Sequence, residues 1–164
     1  MTGFMKPVDE APSSEPESAP PALMAAAAGT ANFHVRCTLK DSGVFVGWLD
    51  YSGPGNHLYL TGSDKAKPGG MTCTWYLHNG MYLNPQGTYV GNPRYLGNNG
   101  NDSNWKGTAD WNYFGRSVAI AWNKPDGLIT YAKNTGIFLA SQGSGWVNWS
   151  NDATIAMNCE CVPV

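Results

Sequence analysis

Two segments of this sequence concentrate residue types that recognise polar ligands: Gly97-Asn-Asn-Gly-Asn-Asp-Ser-Asn-Trp105 and Ser144-Gly-Trp-Val-Asn-Trp-Ser-Asn-Asp152. Each sets at least one flat indole beside short amides and a carboxylate. An indole face packs on the apolar C–H side of a sugar ring, while planar amides and carboxylates pair with adjacent hydroxyls. The candidate ligand-binding residues are therefore Asn98, Asp102, Asn104 and Trp105 in the first loop and Trp146, Asn148 and Trp149 in the second. Trp111, in the run Trp111-Asn-Tyr-Phe114, joins them, and Trp48-Leu-Asp-Tyr51 extends the same chemistry. The competing role for each tryptophan is a core anchor, and for these four indoles the sequence leaves both roles open.

Catalysis has less to draw on. From residue 33 onward there are eight carboxylates, Asp41, Asp50, Asp64, Asp102, Asp110, Asp126, Asp152 and Glu160, and two of them, Asp41 and Asp126, sit in expected turns where their side chains have a structural task. No Gly-x-Ser-x-Gly elbow, phosphate loop or His-Glu-x-x-His motif occurs. His34, His57 and His78 are scattered. The expectation is a non-catalytic protein that needs no cofactor. Asn101-Asp-Ser-Asn104 offers oxygen ligands but too few carboxylates for a calcium loop. Cys37, Cys73, Cys159 and Cys161 lack the Cys-x2-Cys spacing of a zinc knuckle. Buried free thiols rank first for them, a bridge from Cys37 to Cys159 or Cys161 second and metal last, an order that places an intracellular location ahead of a secreted one.

Charge narrows the partners. Of 164 residues only 13% are charged, against roughly 25% in an average soluble domain. With ten Lys and Arg against twelve Asp and Glu, a broad basic surface for nucleic acid is not expected. No run of about 18 apolar residues is present, so no membrane span is expected either. Residues 1–32 hold Lys6 against Asp9, Glu10, Glu15 and Glu17, with the runs Pro12-Ser-Ser-Glu-Pro16, Ala19-Pro-Pro-Ala22 and Ala25-Ala-Ala-Ala28. Such a segment buries too little apolar surface to offset its ordering entropy. It reads as a flexible arm, available to a protein partner, and its acidic start does not fit a signal peptide. The arm spans 1–32 and the folded body 33–164.

Within the body a pattern recurs, and repeats must be found before the rest can be read. A strand ending in a Gly turn appears as Phe33 to Gly43, Met71 to Gly80 and Ser117 to Gly127, each followed by an apolar strand: Val44 to Trp48, Met81 to Leu83 and Leu128 to Tyr131. A third element follows, as Asn56-His-Leu-Tyr-Leu60, Asn92-Pro-Arg-Tyr-Leu96 and Asn134-Thr-Gly-Ile-Phe-Leu139. The turn glycines are 37 and 47 residues apart and the aromatic-Leu pairs 36 and 43 apart, a threefold division from two sets of landmarks. A fourth copy of the opening strand, Thr154 to Val162, ends the pattern and is expected to close the sheet. Alternation places Phe33, Val35, Cys37 and Leu39 on one face, with Met71, Cys73, Trp75 and Leu77, and Ile155, Met157, Cys159 and Cys161, repeating it. Every cysteine lies on an apolar face, and the same parity makes Trp75 and Trp122 core residues.

Trp122-Asn-Lys-Pro-Asp-Gly-Leu-Ile129, then Asn134 to Ser141, then Trp146-Val-Asn-Trp149 resembles one unit of a β-trefoil of the ricin-B or fascin kind. Trp75 to Gly80, Arg94-Tyr-Leu96 and Trp105 to Trp111 follow the same scheme. The resemblance covers about residues 40–162 and implies an all-β, pseudo-threefold binding domain, lectin-like in function. Cys73 and Ile120 stand where ricin-type lectins carry Gln, and Thr61, Gly97 and Ala140 where they carry Asp. Asn123 to Tyr131 is similar, in its last apolar positions, to the monocot mannose-binding lectins, whose β-prism is the alternative architecture. A glycan or glycoprotein is the expected ligand. The alternative function is protein interaction, as a toxin-targeting, inhibitor or assembly component.

Overall fold

The computed structural model describes residues 32–51, 57–77, 79–86, 94–98, 107–122 and 126–164. The arm, but for Asn32, lies outside the described residues. What is described is all-β, with no helix of seven residues or more. Its strands are β1 (Phe33–Leu39), β2 (Phe45–Tyr51), β3 (Leu58–Thr61), β4 (Thr72–Leu77), β5 (Met81–Gln86), β6 (Tyr95–Asn98), β7 (Gly107–Asn112), β8 (Ile120–Ala121), β9 (Asp126–Gly127), β10 (Thr130–Tyr131), β11 (Asn134–Ser141), β12 (Val147–Ser150) and β13 (Met157–Pro163). Among the described residues no helix is long and apolar enough to cross a membrane.

Alternation in the sequence becomes alternation in burial. Phe33, Val35 and Cys37 of β1 are buried while His34, Arg36 and Thr38 are partly exposed, and Met157, Cys159 and Cys161 of β13 turn inward opposite them. These two strands pair antiparallel along their whole length, from Phe33↔Pro163 to Leu39↔Met157, so the expected closing role of the last strand is met. The other edge of β1 is divided. Its C-terminal half pairs with β2, where the register shifts between Cys37 and Thr38, and its first residue pairs with Cys73 of β4. The register shift increases the local bend. One strand thereby serves two neighbours, and the sheets curl into a half-barrel.

Strands β4 and β5 form a regular hairpin from Thr72↔Gln86 to Leu77↔Met81. Asn79 and Gly80, both at positive φ (52° and 143°), lie in its turn, as the Asn-Gly pair predicts. The other Gly signal resolves differently. Asp126-Gly127, expected as a turn, is strand β9 and pairs with Glu160 and Cys159 of β13. The edge of β13 facing away from β1 needs a hydrogen-bonding partner, and that tertiary demand overrides the local turn preference. A second sheet runs in the order β6-β7-β12-β11-β10-β8.

The core between the sheets holds Phe33, Leu49, Leu58, Leu83, Leu96, Trp111, Ile129, Leu139, Trp149 and Met157, all 2% exposed or less. Trp122, with 3% exposure, is core as its parity predicts, and its indole N–H donates to the Cys159 carbonyl at 3.0 Å.

Candidate functional site

Three short strands, each the return arm of a hairpin, pair with one another in a closed triangle. β12 pairs with β7 through Asn148↔Thr108 and Trp149↔Gly107. β3 meets the other two through the bridges His57↔Asp110 and Tyr59↔Trp146. Directly opposed residues project to the same side of a sheet, as do residues two apart on one strand. Those rules put His57 and Tyr59, Trp146 and Asn148, and Thr108 and Asp110 on one face. The intervening residues Leu58, Leu60, Ala109, Trp111, Val147 and Trp149 fill the other, and all six are buried. The inner face is apolar. The outer face carries two aromatics, an imidazole, an amide, a hydroxyl and a carboxyl.

The exposed end of that face is Trp146, 42% accessible. Its ring stands nearly perpendicular to Tyr59 (centroids 5.0 Å apart, 75°) and to His57 (5.9 Å, 71°). A tight turn holds it there, closed by Trp146 N–H to the Gly143 carbonyl at 3.1 Å and Gln142 N–H to the Trp146 carbonyl at 2.9 Å. Gly145 has φ of 88°, and a Cβ there would come within 2.6 Å of the Tyr59 ring, so only glycine lets the turn lie flat on the phenol.

The shielded end is Asp110, 3% exposed. Its β6 neighbour is Gly97, and the Arg116 carbonyl lies 2.5 Å from where a Gly97 Cβ would stand, so that position has no room for a side chain. One carboxylate oxygen, Oδ2, accepts from the Asn112 amide at 2.9 Å. The other, Oδ1, has no hydrogen-bond partner among the described residues, and neither has the buried Nε of Arg94. Burial raises the Asp110 pKa from 3.8 to about 6, against the pull of the Asn112 hydrogen bond and the nearby His57, Arg116 and Arg94.

The structure sorts the residues expected from the sequence. Trp146 and Asn148 lie together on the outer face. Trp111 and Trp149 belong to the core, at 0% and 2% exposure, with indole N–H groups donating to the carbonyls of Asp50 (3.3 Å) and Gly97 (3.0 Å). Neither ring has a face open to a ligand. Asn98 is half-buried and donates to the Tyr131 hydroxyl at 2.6 Å, and Tyr131 packs edge-on against Trp149 at 4.7 Å. Asp102, Asn104 and Trp105 lie outside the described residues. His57, Tyr59, Thr108 and Asp110 were missed as site residues. The signal for Asp110 was a carboxylate in mid-strand between Ala109 and Trp111, where no turn accounts for it.

A second aromatic group stands on the cross-strand pair Tyr76↔Tyr82, which meets Phe114 at 6.2 and 5.0 Å, with Tyr95 5.5 Å from Tyr76. The Tyr95 phenol is pushed up to about 12 by burial and by Tyr76. Among the described residues no group of three or more His, Cys, Asp or Glu is placed to hold a metal ion. All four cysteines are buried free thiols. No protein-family model matches the chain, and no curated protein sequence matches it.

Proposed function

We propose that this chain is a non-catalytic, lectin-like carbohydrate-binding module whose ligand docks on the outer face of the β3–β7–β12 triangle, against Trp146. The observation that carries the reading is the composition of that face. An exposed indole at one edge supplies the apolar platform that a pyranose C–H face requires, and Asn148, Thr108, Tyr59 and His57 supply planar or hydroxyl partners beside it. Asp110 has an unused acceptor but is a buried acid hydrogen-bonded to an amide, with no nucleophile among its hydrogen-bond partners, so recognition suits the face better than turnover.

The architecture proposed with this function is a β-trefoil. Three antiparallel pairs, β13 with β1, β4 with β5 and β8 with β10, alternate along the chain with three hairpins, β2–β3, β6–β7 and β11–β12. The hairpins carry the matching pairs Trp48-Leu49, Tyr95-Leu96 and Phe138-Leu139. Met71 N–H returns to the Leu49 carbonyl and Val118 N–H to the Leu96 carbonyl, both at 2.9 Å, and Ala156 bridges Ala140. On this reading the first unit is phased on Trp48-Leu49 and not on Tyr59-Leu60, and β1 corresponds to β5, not β4. The β-prism alternative draws no comparable support from the strand triangle.

A glycan array followed by isothermal titration tests the function. We expect at least one glycan to bind and Trp146→Ala to weaken it tenfold or more with the melting temperature nearly unchanged. An array blank at high protein concentration, or equal binding by Trp146→Ala, rejects this face as a sugar site. A stable complex with a protein in the same assays would support the protein-interaction alternative.

A further inference from the structure

The four thiols take no part in the proposed binding face, and the ladder of β1 and β13 sets two of them opposite each other: Cys37 is the register partner of Cys159. The parity of that ladder decides how they meet. Lys40 N–H donates to the Ala156 carbonyl at 2.9 Å, and Val164 N–H to the Asn32 carbonyl at 3.2 Å. Both contacts continue the register of the ladder, three and five positions away from Cys37. Hydrogen-bonded pairs therefore fall on the even-numbered residues of β1, and Cys37 with Cys159 is a non-hydrogen-bonded pair. In such pairs the Cα atoms approach to about 4.5 Å, inside the range of about 4.4–6.8 Å that a disulfide spans.

No other two cysteines are register partners. Cys161 faces Val35, and Cys73 faces Phe33 on one side and Pro85 on the other. Cys159 and Cys161 are two positions apart on one strand, separated by roughly 6.5 Å of extended backbone along the chain.

We propose that Cys37 and Cys159 are a disulfide-forming site that staples β1 to β13, the first and last strands of the body. The oxidant is a low-molecular-weight disulfide of the glutathione class. The Cys37 thiolate attacks one of its sulfurs, forming a mixed disulfide and releasing one thiol; Cys159 Sγ then attacks Cys37 Sγ, forming the protein disulfide and expelling the second thiol. Two protein thiols are oxidised, one disulfide is reduced to two thiols, and these carry away both protons. The neighbouring Cys37 thiol and burial together push the Cys159 thiol well up in the folded body, so exchange proceeds while β13 is undocked and the closed strand then shields the bond.

The test refolds the full chain in oxidised plus reduced glutathione and, separately, in dithiothreitol. Thiols are counted under denaturing conditions, linked peptides are mapped by mass spectrometry, and melting is recorded. We expect two titratable thiols in place of four, a peptide containing Cys37 linked to one containing Cys159, and a higher melting temperature for the oxidised sample. The Cys73→Ser/Cys161→Ser variant should oxidise in the same way, and Cys37→Ser should keep three free thiols. Four free thiols after oxidative refolding, a bridge through Cys73 or Cys161, or a stable glutathione adduct with Cys159 free would overturn the proposal. Should the serine variants fail to fold, the map of the unmutated chain decides alone.

Discussion

Replacing Trp149 and Trp146 separately by Ala should produce opposite phenotypes, although the two residues are only three apart in sequence. Trp149 is 2% exposed, donates to the Gly97 carbonyl and packs edge-on against Tyr131. Truncation removes the whole ring from the core, and Trp→Ala at such a site costs about 3–5 kcal/mol. Loss of the edge-to-face contact, about 0.5–1.5 kcal/mol, and of the indole N–H that donates to the Gly97 carbonyl place Trp149 at the upper end of that range. At roughly 3–5 °C per kcal/mol, interpolated between smaller and larger domains, the melting temperature should fall by roughly 15–25 °C. Trp146 is 42% exposed and meets His57 and Tyr59 edge-on, so its removal from the surface leaves no enclosed cavity. Its truncation should cost less than about 1.5 kcal/mol while weakening glycan binding tenfold or more. Thermal and urea unfolding measure the first quantity and titration the second. Equal destabilisation by both changes, or Trp149→Ala melting with the unmutated chain, refutes the two-faced description of β12.

Asp110 should leave a signature in the pH dependence of stability. Its folded pKa of about 6 lies above the ordinary 3.8, so between these values the folded chain holds a proton that the unfolded chain has released, and this group's contribution falls as pH rises from about 4 to 6. The full swing is about 3 kcal/mol at 1.36 kcal/mol per pKa unit. Asp110→Asn should flatten that segment of a melting-versus-pH curve, and an unchanged curve counts against a raised pKa. Gly145→Ala forces a Cβ to within 2.6 Å of the Tyr59 ring at a φ of 88°, so it should destabilise by about 1–3 kcal/mol and displace Trp146, read as weaker glycan binding alongside a lower melting temperature. The Arg36–Glu160 pair, 2.9 Å apart with side chains 26% and 43% exposed, should contribute under about 1 kcal/mol; Glu160→Gln should barely shift the urea midpoint, and a loss of several kcal/mol would contradict that.

Period-two alternation, short apolar runs and Gly turns were enough to make the body all-β, because those signals are local and each strand carries its own. They also turned Phe33, Val35, Cys37, Met157, Cys159 and Cys161 inward and paired the last strand into the sheet. The Asn79-Gly80 turn was legible for the same reason, since its positive φ values belong to two adjacent residues. What the sequence left undecided depended on partners far along the chain. Trp111, Trp146 and Trp149 sit in similar Asn-rich surroundings, and only the pairing of β12 with β7 and of Trp146 with Tyr59 divides them between core and surface, because a one-residue step along a strand exchanges its faces. Asp126-Gly127 has the chemistry of a turn but became a strand when β13 required a neighbour. Asp110 is an ordinary carboxylate in sequence; burial in the folded body raises its pKa against the pull of Asn112, His57, Arg116 and Arg94. Local preference chose the elements, and long-range hydrogen bonding and burial chose which of their residues meet.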